Sequence, residues 1–347
     1  MTTDHAARAR RPDPTSMIVR SPEDVLALVP VVFGFEPSES MVMLTFGADP
    51  PFHARVDLPA RSAIPEMAAM LAEPARRHGA PHALLVVYSQ RGRFADRALQ
   101  ATARALADSG IEVIDALRAD GRRWFPVPVR GTPSMAIPAI GVPYDLSAHR
   151  FAAQAVYDGR VLHTSREELA RSIAAVPDLV ARVVPELAAL GPQAPALDEG
   201  QWARELVVRH TEAATRPDDG AVARLLRGML DVRVRDAACS SLCRDRARSH
   251  VELWTDVVRR APDPLVPAPS AVLALAAWQA GDGALAWCAV DRCCEVEPDY
   301  SLAQLVGDLL TRAVAPQSWA GIGDWTQGIG PGIGPGIGPG MPPPGVG

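Results

Sequence analysis

Between residues 201 and 313 no segment of this chain alternates apolar and polar residues as a half-buried strand does. QWARELVVRHTEAA, AVARLLRGMLD, RDAACSSLCRDRARSHVELWTDVVRRA, SAVLALAAWQAG, GALAWCAVDRCCEVE and SLAQLVGDLLTRA all repeat with helical period, parted by short Gly, Pro and Asp breaks. That excludes a sheet running through the whole molecule. It predicts an all-helical unit of about five to seven helices.

The first half reads differently. SPEDVLALVP opens a helix, with Ser21 as cap, Pro22 at the first helical position and Asp24 three residues after the cap. Pro30 is expected to end or bend that helix. Residues 41–46 (MVMLTF) and 53–58 (HARVDL) read as two strands joined across GADPP. Residues 63–77 repeat as a helix, with Pro74 an awkward member. HALLVVY is a continuous apolar run, as a strand buried on both faces would be. A helix over 94–109, a strand over 111–117 and another over 122–127 follow. Helices that separate strands predict an α/β domain with a mixed sheet and flanking helices.

Residues 126–146 are rich in Pro and Gly and read as a lid or a long crossing loop. A helix over 147–157 follows. Ser165 and Glu168 then make a capping box that opens SREELARSIAAV. GPQAPALDEG, residues 191–200, is the best linker. The expected division is a flexible lead-in at 1–20, the α/β domain at 21–190, the linker at 191–200, the helical domain at 201–320 and a disordered tail at 321–347. From Gly321 to Gly347, 11 residues are Gly and 6 are Pro, too few apolar groups to offset the entropy of ordering. The glycines recur every two residues rather than every three, which excludes collagen.

Within the helical part, residues 270–298 fit a tetratricopeptide register. Leu273, Ala274 and Ala277 fall at packing positions of the first helix, and Ala286, Val290 and Cys293 at those of the second. GDG supplies the turn. A solenoid needs about three such units, and the chain offers one, with a loose second over 236–260. The expectation is therefore a helical domain containing one tetratricopeptide-like hairpin.

The 35 basic and 40 acidic residues leave a formal charge of −5, which argues against a general nucleic-acid binder. No apolar run is long enough to span a membrane. The N-terminal residues lack the apolar core of a signal peptide. Five cysteines, an odd number among apolar neighbours, read as free thiols in a cytoplasmic protein. Cys239 and Cys243 are four apart, but two ligands fall short of a structural zinc site. No metal and no cofactor is expected, since phosphate-cradling, nucleophile-elbow and metal-protease motifs are all missing.

Arg55 and Asp57 are two apart on a strand and share one face, with Val56 and Leu58 turned to the core. They read as a salt bridge or as an anion site near the strand end. Ser40 closes GFEPSES, in which Gly34 relieves a backbone constraint and Phe35 plugs the core. His149 and Arg150, at a helix start, are candidates for holding an anion. Trp202, Trp254, Trp278 and Trp287 read as filling between helices. The arginines of RVRDAACSSLCRDRARSH are diluted by Asp231, Asp236 and Asp245, as on a salt-bridged helix surface.

Several stretches occur together in order: LALVPVVFGFEPSESMVMLTF, RVDLP, YDLSAHRFAAQAVYDGR, SREELA, HVELWTDVVRRAP and LALAAWQAGDGALAWCAVDRCCEVEPDYSLAQLV. In these the chain resembles the actinobacterial family catalogued as domain of unknown function 4192, over about residues 20–320. The resemblance places motif positions at Gly34, Phe35, Pro37, Ser40, Arg55, Asp57, Asp282 and Gly283. It implies an α/β-plus-helical layout and no particular chemistry. The leading expectation is a cytoplasmic binding or regulatory protein, not an enzyme, with a protein partner at the helical domain. The alternative is an enzyme or small-ligand receptor whose pocket, at the sheet edge, is lined by Arg55, Asp57 and residues 126–146.

Overall fold

The computed structural model describes residues 17–49, 51–132, 137–158 and 160–318. Most of the lead-in and the whole Gly/Pro-rich tail lie outside the described residues. The elements are α1 (Pro22–Phe33), β1 (Ser40–Phe46), β2 (His53–Asp57), α2 (Ile64–Arg77), β3 (His82–Tyr88), α3 (Gly92–Asp108), β4 (Glu112–Ala119), β5 (Arg123–Pro126), β6 (Val142–Pro143), α4 (Arg150–Tyr157), α5 (Arg166–Ser172) and α6 (Pro177–Ala189). Then come α7 (Ala196–Ala213), α8 (Asp219–Gly228), α9 (Val232–Cys239), α10 (Ala247–Arg260), α11 (Pro267–Gln279), α12 (Gly283–Cys294) and α13 (Ser301–Thr311). The fold is a mixed α/β sheet with flanking helices followed by a helical part. Among the described residues no strand follows β6.

The six strands form one sheet in the order β2-β1-β3-β4-β5-β6. Only β3 and β4 are parallel; every other pair is antiparallel. The apolar run of β3 follows from its central place. Ala83, Leu85 and Val87 pack toward α2 and α3, while Leu84 and Val86 pack toward α1. Each buried Leu or Val contributes about 1.5–3 kcal/mol by leaving water, so covering both faces is what makes a central strand of this composition stable.

Pro30 does not end α1. Its missing N–H falls in the last turns, and the helix runs on to Phe33. Gly34 stops it at φ +77°, its N–H donating to the Pro30 carbonyl over 2.8 Å. α2 likewise runs through Pro74, close to its C-terminus.

The helical core gathers α5 to α13. α11 and α12 form the expected hairpin, turning at Gly281 with φ +78°. Leu273, Ala274, Ala277, Ala286, Val290 and Cys293 are all buried, and the small side chains let the helices lie close. The loose second unit does not form. α9 packs mainly on α7, and a break after Cys239 followed by a 3-10 turn at Arg244–Arg246 parts it from α10. Cys239 and Cys243 therefore do not share a helix. In the 191–200 segment, the first half is connection and the second opens α7. Leu169, Ile173 and Val183, which precede that segment, are buried in the helical core.

The sheet and the helical part are joined at named points. Phe35 leaves the sheet domain and is buried in the helical core. Arg166 of α5 pairs with Asp291 of α12 at 2.8 Å. From the end of α2, Arg77 donates to the Arg312 carbonyl at 2.8 Å, and His78 Nε2 lies 2.7 Å from the Ala313 carbonyl.

Candidate functional site

The parallel strands β3 and β4 end at Tyr88 and Ala119. Because β1 is antiparallel to β3, Ser40 lies opposite Tyr88, and Asp57 lies opposite Ser40. Ser40, Asp57 and Tyr88 thus share the C-terminal edge of the central strands, where open α/β sheets tend to hold ligands. Residues 34–39 cross this edge between α1 and β1. Phe35 and Pro37 are buried; Glu36, Ser38 and Glu39 are exposed.

Glu39 adopts φ +42°, a left-handed conformation that is uncommon outside glycine. Its carboxylate ties the loop to the β3–α3 turn. It accepts from Ser89 Oγ at 2.9 and 3.1 Å and from Arg91 Nε at 2.9 Å.

Ser40, Arg55 and Asp57 meet, as the strand register requires. Arg55 Nε donates to Ser40 Oγ at 3.0 Å, and its guanidinium pairs with Asp57 at 2.6 Å. Ser40 Oγ donates to the Ser38 carbonyl. Val56 and Leu58 turn to the opposite core, as expected. Burial pulls the Arg55 guanidinium below its ordinary value, with Asp57 acting against it and Arg166 adding to it. Arg55 is therefore engaged on both sides, and Asp57 faces solvent.

His149 is elsewhere. It caps α4, its Nδ1 accepting from Phe151 N–H at 3.2 Å, so the ring proton sits on Nε2 and is donated to Asp24 at 3.1 Å. Arg150 reaches the same carboxylate at 3.1 Å. Burial pushes Asp24 up, but the Arg20 N–H, Arg150 and His149 outweigh it and hold the carboxyl below its usual range. The anion expected at this helix start is thus a side chain of the same chain.

Among the described residues of 126–146, those of β6 lie at the sheet edge opposite β2, the strand of Arg55 and Asp57. β2 and β6 are the two ends of a six-stranded sheet, about 24 Å apart at about 4.8 Å per strand. What the segment does bring to the C-terminal edge is Tyr144, whose N–H donates to the Arg122 carbonyl. Burial pushes the Tyr144 phenol up to about 12, helped by Asp120 and Glu36. The Tyr88 phenol is pushed well above its ordinary value by burial, then by Tyr144 and Glu36. Sequence reasoning did not single out either tyrosine: Tyr88 closes an apolar strand run and Tyr144 falls in the Pro/Gly-rich segment.

At the joint with the helical part, Asp282 caps α12 by accepting from Leu285 N–H at 2.9 Å. Burial raises its carboxyl, while the Leu285 N–H and the charges of Arg160, Arg248 and His163 act against it. The motif residues that the resemblance picked out thus divide between the sheet edge and this joint. Gly283 follows directly as the first residue of α12.

A different surface lies on the helical part. The turn between α8 and α9 carries Leu230, 67 % exposed, and Val232, 46 % exposed. Both border two adjoining depressions. The more enclosed, about 280 Å³, is lined by Leu226, Met229, Leu265, Pro267 and Ala268, together with Glu297, Asp299 and Tyr300. At its margin Arg235 is neutralised by Asp236 at 2.6 Å and touches the Tyr300 hydroxyl at 3.3 Å. The signal for this surface was present in the sequence as two apolar residues inside a break between helices. The four tryptophans, by contrast, fill as expected: Trp254 and Trp278 are buried, and Trp202 and Trp287 are partly buried against the helical core.

Among the described residues no group of three or more His, Cys, Asp or Glu side chains is placed to hold a metal ion, and no helix is long and apolar enough to cross a membrane. The family model described as Domain of unknown function (DUF4192) matches residues 22–317, and the chain belongs to that family. No curated protein and no solved structure matches it.

Proposed function

We propose that this member of the family is a cytoplasmic binding or regulatory protein that receives a protein segment in the groove beside the α8–α9 turn. The observation that carries the reading is the exposure of Leu230 and Val232 beside a depression that Leu226, Met229, Leu265, Pro267 and Ala268 line together with charged residues. Large apolar side chains grouped around a concavity are a mark of interaction sites. The groove also prescribes its occupant. Arg235 is already neutralised, whereas Glu297 makes no ion pair and Asp299 accepts only from the Gln304 amide, among the described residues. The residual charge is negative, so the fitting partner is a segment with one or two apolar anchors and flanking Arg or Lys. Five unpaired cysteines, three of them buried, suit a reducing compartment.

Panning a random-peptide display library on the full chain tests this. The expected outcome is enrichment of apolar peptides with basic flanks. Their affinity should fall about tenfold or more, roughly 1.4 kcal/mol, in a Leu230→Glu, Val232→Glu double variant, and should weaken with added salt. Enriched peptides that bind the double variant equally well, or no enrichment at all, would overturn the reading.

A further inference from the structure

The more enclosed depression beside the α8–α9 turn has walls of two kinds. Leu226 and Met229, around the end of α8, are apolar, as are Leu265, Pro267 and Ala268, around the start of α11. Glu297, Asp299 and Tyr300 come from the turn between α12 and α13. That turn is stiff. Pro298 fixes its own φ and restricts Glu297 before it. The Tyr300 N–H donates to the Glu297 carbonyl at 3.2 Å and closes the turn. Glu297 and Asp299 are both exposed. Among the described residues the Glu297 carboxylate has no partner, and that of Asp299 accepts only from the Gln304 amide at 3.4 Å. Arg235, the cation in the lining, is already paired. Its Nε and Nη2 donate to Asp236 at 2.9 and 2.6 Å, and its guanidinium lies 5.5 Å from the centre of the Tyr300 ring.

The volume, about 280 Å³, decides what can enter. Pockets that hold whole small ligands run to about 300–1,000 Å³, so this one suits a single long side chain. An apolar side chain would use the walls and leave both carboxylates without a partner. An acidic one would meet them as like charges. Lysine and arginine carry both parts, an apolar stem that lies along the walls and a charged head that stays in water. We propose, resting on the reading of this surface as a docking groove, that its more enclosed depression receives one lysine or arginine side chain of the docked segment, with the stem against Leu226, Met229 and Pro267 and the head shared by Glu297 and Asp299. Leu230 and Val232 then hold the apolar anchor, and Glu297 and Asp299 select the residue that stands beside it.

The test uses peptides selected on the full chain from a random display library. Those that depend on Leu230 and Val232 should share a Lys or Arg at a fixed distance from an apolar residue. Replacing that basic residue by norleucine keeps most of the stem and removes the charge. Affinity, read by fluorescence anisotropy, should then fall about tenfold or more, because charged hydrogen bonds are lost. On a Glu297→Gln, Asp299→Asn variant the basic and norleucine peptides should bind alike, which closes a mutant cycle between peptide and protein. Both substitutions stand at exposed positions, so the variant should melt with the parent chain. Selected peptides that need Leu230 and Val232 but carry no fixed basic residue overturn the pocket and leave the groove reading intact. So does a preference for the basic peptide that survives in the variant. Peptides that bind the Leu230→Glu, Val232→Glu variant equally well, or no enrichment at all, overturn both.

Discussion

The Arg55 guanidinium lies 5.6 Å from the centre of the Phe35 ring, although the two belong to different packing units. Arg55 is on an edge strand of the sheet, whereas Phe35, 2 % exposed, is counted with the core of the helices. The ring therefore joins the two parts, with apolar packing on one side and a cation over its face. Phe35→Ala removes both and leaves a cavity at the joint. The expected loss is about 3–5 kcal/mol in urea unfolding. Phe35→Leu, which still fills most of the space, should lose less than half of that. Equal losses for the two would mean that volume at this joint does not matter.

Local pattern carried most of the architecture. The alternation in HARVDL placed Arg55 and Asp57 on one face, and the register with β1 then brought them to Ser40. Capping residues such as Ser21 and Ser165 were readable because a cap acts within one turn. Strand order was not readable, since it depends on which distant strands find each other. That is why β6 and Arg55 fall at opposite ends of the sheet. His149 looked free for the same reason: its partner, Asp24, lies 125 residues away in sequence.

Glu39 is held at φ +42° by the bonds of its own side chain. A left-handed backbone costs a non-glycine residue about 1–2 kcal/mol. Glu39→Ala loses the carboxylate and keeps that cost, while Glu39→Gly loses the carboxylate and relieves it. The glycine variant should therefore be the more stable of the two by about 1 kcal/mol, measured as the difference in unfolding free energy. The reverse order would show that the conformation is not strained in solution.

Glu199 is 1 % exposed and takes both bonds of a bidentate pair from Arg224, each 2.9 Å long. Arg224 reaches solvent along the face of Trp202. The pair is therefore unequal. Arg224→Ala strands a buried carboxylate and should cost about 3–5 kcal/mol. Glu199→Ala leaves a guanidinium that can turn to water and should cost clearly less. Denaturant unfolding of the two single variants decides the order.

His250 is fully buried in α10, with neither ring nitrogen in a well-formed hydrogen bond. Burial pulls its pKa down to about 4, against the Ser241 carbonyl, which favours the charged form, while Arg246 adds to the depression. In the unfolded chain the same ring titrates near 6.5. Between those two values the unfolded state binds a proton that the folded state refuses. Stability from this group is complete above pH 6.5 and is lost as the pH falls toward 4. From pH 7 to pH 5 the loss should be about 2 kcal/mol. His53, also drawn to about 4 by burial, adds in the same direction, because protonation of its Nδ1 would end the bond it accepts from Thr45 N–H. His250→Leu removes its own contribution and leaves that of His53. Its unfolding free energy should therefore change less between pH 7 and pH 5 than that of the parent chain, by about that amount. Parallel pH profiles for parent and variant would mean that His250 takes up its proton without unfolding the helices around it.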